Sequence, residues 1–145
     1  MRIVLDTNIL ISACWSPDGI EMLILRSGLV GRFEIATSPD LWTEYRDVLG
    51  RAKFAKLRDR IEPMLVELAA KALLFSPQVR VSVASDEDDN RVLECALASH
   101  AGFVVTGNLK HFPVDWPHAR IVNGRQFLTD YGEVLKGVDQ TATGQ

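Results

Sequence analysis

Arg2-Ile3-Val4-Leu5-Asp6-Thr7-Asn8 is a β-branched apolar run that stops on an acid and passes into two residues favouring turns and helix caps. The reading is strand, then helix, with Asp6 at the strand's carboxyl end. Asp6 reads either as a turn former or helix cap or, if Asn8 is the cap, as a residue without an evident structural role. Beyond the Ser16-Pro17-Asp18-Gly19 break, Ile20 to Val30 is predicted helical and Phe33 to Thr37 a second short strand. Ser38-Pro39-Asp40 then opens a helix: a serine cap, proline at the first helical position and an acid in the first turn. That helix runs to Leu49, where Gly50 interrupts it.

Arg51 to Arg60 is a basic, broken helical stretch, and Ile61 to Leu74 reads as a longer helix with Met64, Leu65, Leu68 and Ala72 on one stripe. Val79, Val81 and Val83 alternate with polar residues, as in a half-exposed or edge strand. The acidic run Asp86-Glu87-Asp88-Asp89 precedes a helix from Asn90 to Ser99. Phe103 to Thr106 and Ala119 to Val122 supply further strands, and Gly124 to Tyr131 a last helix. Short strands alternating with helices predict a three-layer α/β domain, with a mostly parallel sheet of four to five strands and helices on both faces. The chain reads as one domain, 1–136, followed by a small polar tail, 137–145, expected to be disordered.

Its 145 residues are 47% hydrophobic and 24% charged, enough for one sizeable core. A formal charge of −3 excludes a polycation, so nucleic-acid binding would have to be local. Cys14 and Cys95 form no CxxC pair and read as buried small hydrophobes. No run is long enough for a membrane span, and the start lacks a signal-peptide pattern; the expected location is cytoplasmic.

In parallel sheets ligands gather outside the carboxyl ends of the strands, where strand order reverses. Asp6 stands there. Glu44 borders the apolar arc of Leu41, Trp42, Tyr45, Val48 and Leu49, as a surface acid, an arginine's partner or a functional group. Asp89 shares a stripe with Val92, Leu93 and Ala96 and so points coreward. There it is protonated, caps its helix, or has a cation beside it, and Asp86 and Asp88 also compete for the cap. Oxygen ligands without His or Cys suit Mg²⁺ or Mn²⁺, ions that support phosphodiester hydrolysis.

Arg51, Lys53, Lys56, Arg58 and Arg60 make a local positive excess, either a substrate grip or a solvated helical face. Arg91 and Lys110 are further candidate phosphate contacts. His100, His111 and His118 show no ligand spacing and read as surface or packed histidines. Trp15, Trp42 and Trp116 read as packing residues.

On Val4-Leu5-Asp6-Thr7-Asn8, Asp40-Leu41-Trp42-Thr43-Glu44, the stretch Asp88 to Ala96, and Val104-Val105-Thr106-Gly107-Asn108, the chain resembles the PIN-domain family, in particular the toxin nucleases of type II toxin-antitoxin pairs. The resemblance spans Ile3 to about Phe127. It implies an endoribonuclease holding Mg²⁺ or Mn²⁺ at Asp6, Glu44 and Asp89, with Thr7, Asn8 and Thr106 as polar support. It also implies cleavage to a 5′ phosphate and 3′ hydroxyl, a small antitoxin over the cleft, and a homodimer. Many members carry an acid where Asn108 stands; the amide is expected to position a water without adding charge. That departure keeps open a rival, a PIN-fold module that binds RNA or protein without turnover. A HAD-type phosphate-transferring hydrolase would need an aspartate at Asn8.

Overall fold

The computed structural model describes residues 1–132; the tail expected at 137–145 lies outside the described residues. Five strands, β1 (Arg2–Leu5), β2 (Glu34–Thr37), β3 (Leu73–Leu74), β4 (Phe103–Val105) and β5 (Arg120–Val122), form one sheet in the order β3-β2-β1-β4-β5. All of its pairings are parallel, with Ile3 beside both Ile35 and Phe103, and Leu5 beside Val105. Ile3, Val4 and Leu5 are all fully buried, so neighbouring residues that point to opposite faces both meet cover.

The helices are α1 (Thr7–Trp15), α2 (Ile20–Leu29), α3 (Pro39–Leu49), α4 (Arg58–Lys71), α5 (Glu87–Ser99) and α6 (residues 124–132). The chain steps from β1 outward to β2 and β3, then crosses back to β4 on the other side of β1. With right-handed crossovers, that reversal puts α5 on the face opposite α1 and α2. α5 packs on β1, β2 and β4. On the other face α2 comes so near β2 that a Cβ at Gly28 would stand 2.5 Å from Ile35 Cδ1, and Phe127 of α6 meets the rings of Phe33 and Phe103 edge-on. α3 begins as its sequence foretells: Ser38 Oγ accepts from the Leu41 amide and Pro39 fills the first turn. Tyr45, fully buried on the same helix, donates its hydroxyl to the Leu5 carbonyl and so ties α3 to the end of β1.

Two sequence expectations are corrected. The third strand is Leu73–Leu74, inside the stretch read as helix, because α4 stops at Lys71 and the Phe75 amide bonds the Thr37 carbonyl. Two residues are too few for alternation to register. The alternating segment 79–83 is not a strand. It is an extended strap whose amides are met by side chains of α5: Val81 N–H donates to Glu94 Oε2, and Val83 and Ala84 N–H donate to Asn90 Oδ1. Helix starts also move. α4 begins at Arg58 and α5 at Glu87, whose N-cap is Asp86, so Asp89 lies in the first turn without capping it.

Candidate functional site

The sheet order reverses between β1 and β4, where the following loops diverge. Asp6 sits there, 4% exposed, its amide donating to the Val105 carbonyl. It is also the N-cap of α1, the first of the two caps the sequence allowed, and its Oδ1 accepts from the Thr7 amide at 2.8 Å. The other oxygen, Oδ2, accepts from Thr106 Oγ1 at 2.7 Å and Asn8 Nδ2 at 3.0 Å. Asn8 instead ties the loop after β4, its Oδ1 accepting from the Gly107 amide at 2.8 Å, and Thr106 Oγ1 accepts from the Asn108 amide at 3.0 Å. Thr7, Asn8 and Thr106 therefore fix the carboxylate and both loops. The Asn108 side chain itself is exposed at the rim.

Glu44 and Asp89 arrive from α3 and α5. Burial, then the negative charges of Asp88, Asp6 and Asp89, push the Glu44 carboxyl up to about 7. Burial, then Asp6 and Asp86, push Asp89 up to about 6 against the opposing pull of His111. Burial raises Asp6 as well, opposed by its three hydrogen-bond donors. These acids feel one another across three separate elements. Glu44 Oε2 and Thr7 Oγ1 are buried without a hydrogen bond of good geometry among the described residues, and the buried Asp89 Oδ2 has only the His111 imidazole beside it.

Such orphaned oxygens, with repelling carboxylates around them, fit a hard divalent cation in donor type and charge. Among the described residues, though, no three acid, imidazole or thiol groups are gathered closely enough to hold one ion as they stand. The acids rest apart, as like charges do, and a cation would have to draw them in.

His111, read from sequence as a surface or packed residue, belongs to this site: its Nδ1 stands 3.3 Å from Asp89 Oδ2. Its only sequence signal was its place in the loop after β4. His100 ends α5 in left-handed backbone, and His118 packs edge-on against Trp116. Asp88, also passed over, lies beside Glu44 in a cleft of about 360 Å³ lined by Thr43, Arg80 and Arg91 as well. Of the basic residues singled out in the sequence, Arg91 alone lines it. Arg51 pairs with Asp47, Lys53 lies over the Phe54 ring, Arg58 reaches toward Glu62 and Arg60 holds the Cys14 carbonyl. Lys56 is exposed on the 3-10 turn Ala52–Leu57, and Lys110 lines a separate hollow with Asn108 and His111.

The raised acids make stability fall as pH rises. Folded Glu44 holds its proton to about 7 against an ordinary 4.5, and folded Asp89 to about 6 against 3.8. Between roughly pH 4 and 7 the folded chain binds more protons than the unfolded, so this contribution is full below that window and lost above it. In chelator the melting temperature at pH 5 is expected to exceed that at pH 8 by roughly 10 °C, given a few kcal/mol and a chain of this size. Glu44→Gln should narrow the gap; a gap of the parent's size in that variant would remove Glu44 as its source.

The PIN domain model matches residues 2–110, and the chain belongs to the PIN domain family. An uncharacterized protein of Methanocaldococcus jannaschii is 25% identical over 147 residues, covering 93% of this chain and 94% of its own length. The crystal structure of VapBC2 from Rickettsia felis, bound to a DNA fragment from its promoter, contains a chain of similar fold. The match covers 85% of this chain and 98% of that one, with a TM-score of 0.59 and 17% identity, a likeness of fold alone.

Proposed function

We propose that this protein is a Mg²⁺- or Mn²⁺-dependent endoribonuclease and the toxin of a toxin-antitoxin pair, acting in the cytoplasm. The observation that supports the reading is that Asp6, Glu44 and Asp89, from three separate elements around the sheet's switch point, are each partly or fully buried and near enough for their negative charges to push Glu44 and Asp89 up. Asp6 and Asp89 would hold the ion, with Glu44 as third ligand or as the group that orients the attacking water. When bound, the ion supplies a Lewis acid for a phosphoryl oxygen and makes a nearby water more acidic. Thr7, Asn8 and Thr106 keep Asp6 oriented. Glu44, half-buried on α3 beside Asp88, is the carboxylate available either to the ion or to the attacking water's proton. Hydrolysis leaves a 5′ phosphate and a 3′ hydroxyl.

The antitoxin is proposed as a small protein covering this acidic cleft, with support from the VapBC2 fold likeness; a homodimer is carried over from the family resemblance. No described helix is long and apolar enough to cross a membrane. A pull-down from native cells should recover the antitoxin, and a small partner that never suppresses cleavage argues against the pairing.

The rival binding-module reading rests on Asn108, which brings no charge to the rim. A cleavage assay on mixed RNA with Mg²⁺ or Mn²⁺ titrated decides between them. The parent chain should cut only with metal, and absence of metal-dependent cleavage leaves the binding module. Asn108→Asp is expected to tighten the apparent metal affinity on the order of tenfold, since ligand charge count sets affinity at oxygen sites. An unchanged metal curve would take Asn108 out of the site.

A further inference from the structure

Glu94, five residues beyond Asp89 on α5, is a carboxylate with 2% of its side chain exposed, and the ribonuclease reading assigns it no role. Its Oε2 accepts from the Val81 amide at 2.8 Å and stands 2.9 Å from Arg91 Nη2, while Oε1 accepts from Arg80 Nη1 at 3.2 Å. Both guanidiniums line the same 360 Å³ cleft as Glu44 and Asp88. Their other partners are exposed: Asp40, 58% exposed, 3.2 Å from Arg80, and Glu87, 71% exposed, 2.6 Å from Arg91. Arg91 Nε is buried with no acceptor among the described residues.

We propose that Arg80 and Arg91, aimed by buried Glu94, form a phosphate clamp that grips the RNA backbone beside the bond being cut. This rests on the ribonuclease reading. Exposed ion pairs contribute little, so an incoming phosphodiester displaces Asp40 from Arg80 at small cost, whereas Arg91, 19% exposed, keeps more of its hold on Glu87. Glu94 is buried and stays, keeping both guanidiniums in place. Arginine's planar fork suits two phosphate oxygens, and Arg80, 69% exposed, offers that fork to the cleft. The cleft sets these two arginines among the acids Asp40, Glu44, Asp47 and Asp88, and Glu44 is the residue it shares with the proposed metal site.

The clamp reads phosphate and not sequence. The basic turn at Ala52–Leu57 makes no part of this cleft, which is why Arg80 takes its place as the expected grip.

The test uses the full chain and a short single-stranded RNA, with binding followed by fluorescence anisotropy across a salt series in chelator, and steady-state cleavage followed with Mn²⁺. Arg80→Gln is expected to weaken binding and raise KM about threefold to fivefold, and to lower the salt slope by about 0.7, the share of one phosphate contact on a single strand. kcat should stay within about twofold of the parent, because the clamp positions substrate and leaves the acids intact. Arg80→Lys should recover part of the loss, keeping charge without the fork. DNA of the same sequence should lose as much affinity as RNA. Arg125→Gln, in the cavity beside β5, should change neither slope nor KM. Arg80 is 69% exposed, so its variants should melt with the parent and fold is not at issue. A slope and KM unchanged in Arg80→Gln and Arg91→Gln, in a parent that cleaves RNA, overturn the clamp alone. A parent that neither binds nor cleaves RNA overturns the ribonuclease reading and the clamp with it.

Discussion

Asp6→Asn lowers metal-supported RNA cleavage by at least about 10³-fold and leaves the fold standing. A Lewis-acid contact is worth several kcal/mol at the transition state, and each 1.4 kcal/mol or so is a factor of ten. The amide keeps the side chain's shape, and its oxygen still accepts from the Thr7 amide as the α1 cap does now. What it loses is one acceptor position: Thr106 Oγ1 can turn to accept, whereas Asn8 Nδ2 is left facing another donor. Against that loss, a buried charge held at a raised pKa is gone, so the melting temperature should move little. Cleavage assayed beside a thermal melt reads both effects. Parent-level cleavage in a folded Asp6→Asn chain would end the hydrolytic proposal.

Glu94→Ala has the largest effect on stability, a loss of roughly 3 kcal/mol, the lower end of the cost of breaking a buried ion pair from one side. The substitution strands the Val81 amide and leaves Arg91, mostly buried, without its inner partner. The Arg80 pair adds little to this figure because that arginine is 69% exposed. Glu94→Gln retains an acceptor for the Val81 amide and should cost less than the alanine variant. Urea unfolding distinguishes the two, and a cost below about 1 kcal/mol for Glu94→Ala would mean the strap is held by Asn90 alone. The loosened strap should also raise KM, since both clamp arginines lose their anchor.

Within residues 1–132, most of the architecture is legible from local chemistry. The strand at Arg2–Leu5, the cap at Ser38, the proline beside it and the buried run at Phe103–Val105 each carry a signal confined to a few neighbouring residues. The strap shows where that legibility stops. Val79, Val81 and Val83 alternate as a strand does, and their backbone groups do need partners. Those partners are Glu94 and Asn90 on α5, a choice no local pattern encodes. β3 fails to register for the opposite reason, its pairing with Thr37 being real and its length below any period.

The sequence by itself determined the α/β class, the order of most elements and the three acids worth pursuing, because periodicity, capping and the cost of burying a carboxylate all act through a residue and its near neighbours. Tertiary structure alone decided which oxygen of Asp6 Thr106 holds, that His111 faces Asp89 and that Arg80 shares a cleft with Glu44. Each of these contacts joins residues brought together by strand order and crossover hand, and an imidazole or guanidinium carries no mark of its partner until the sheet has placed it there.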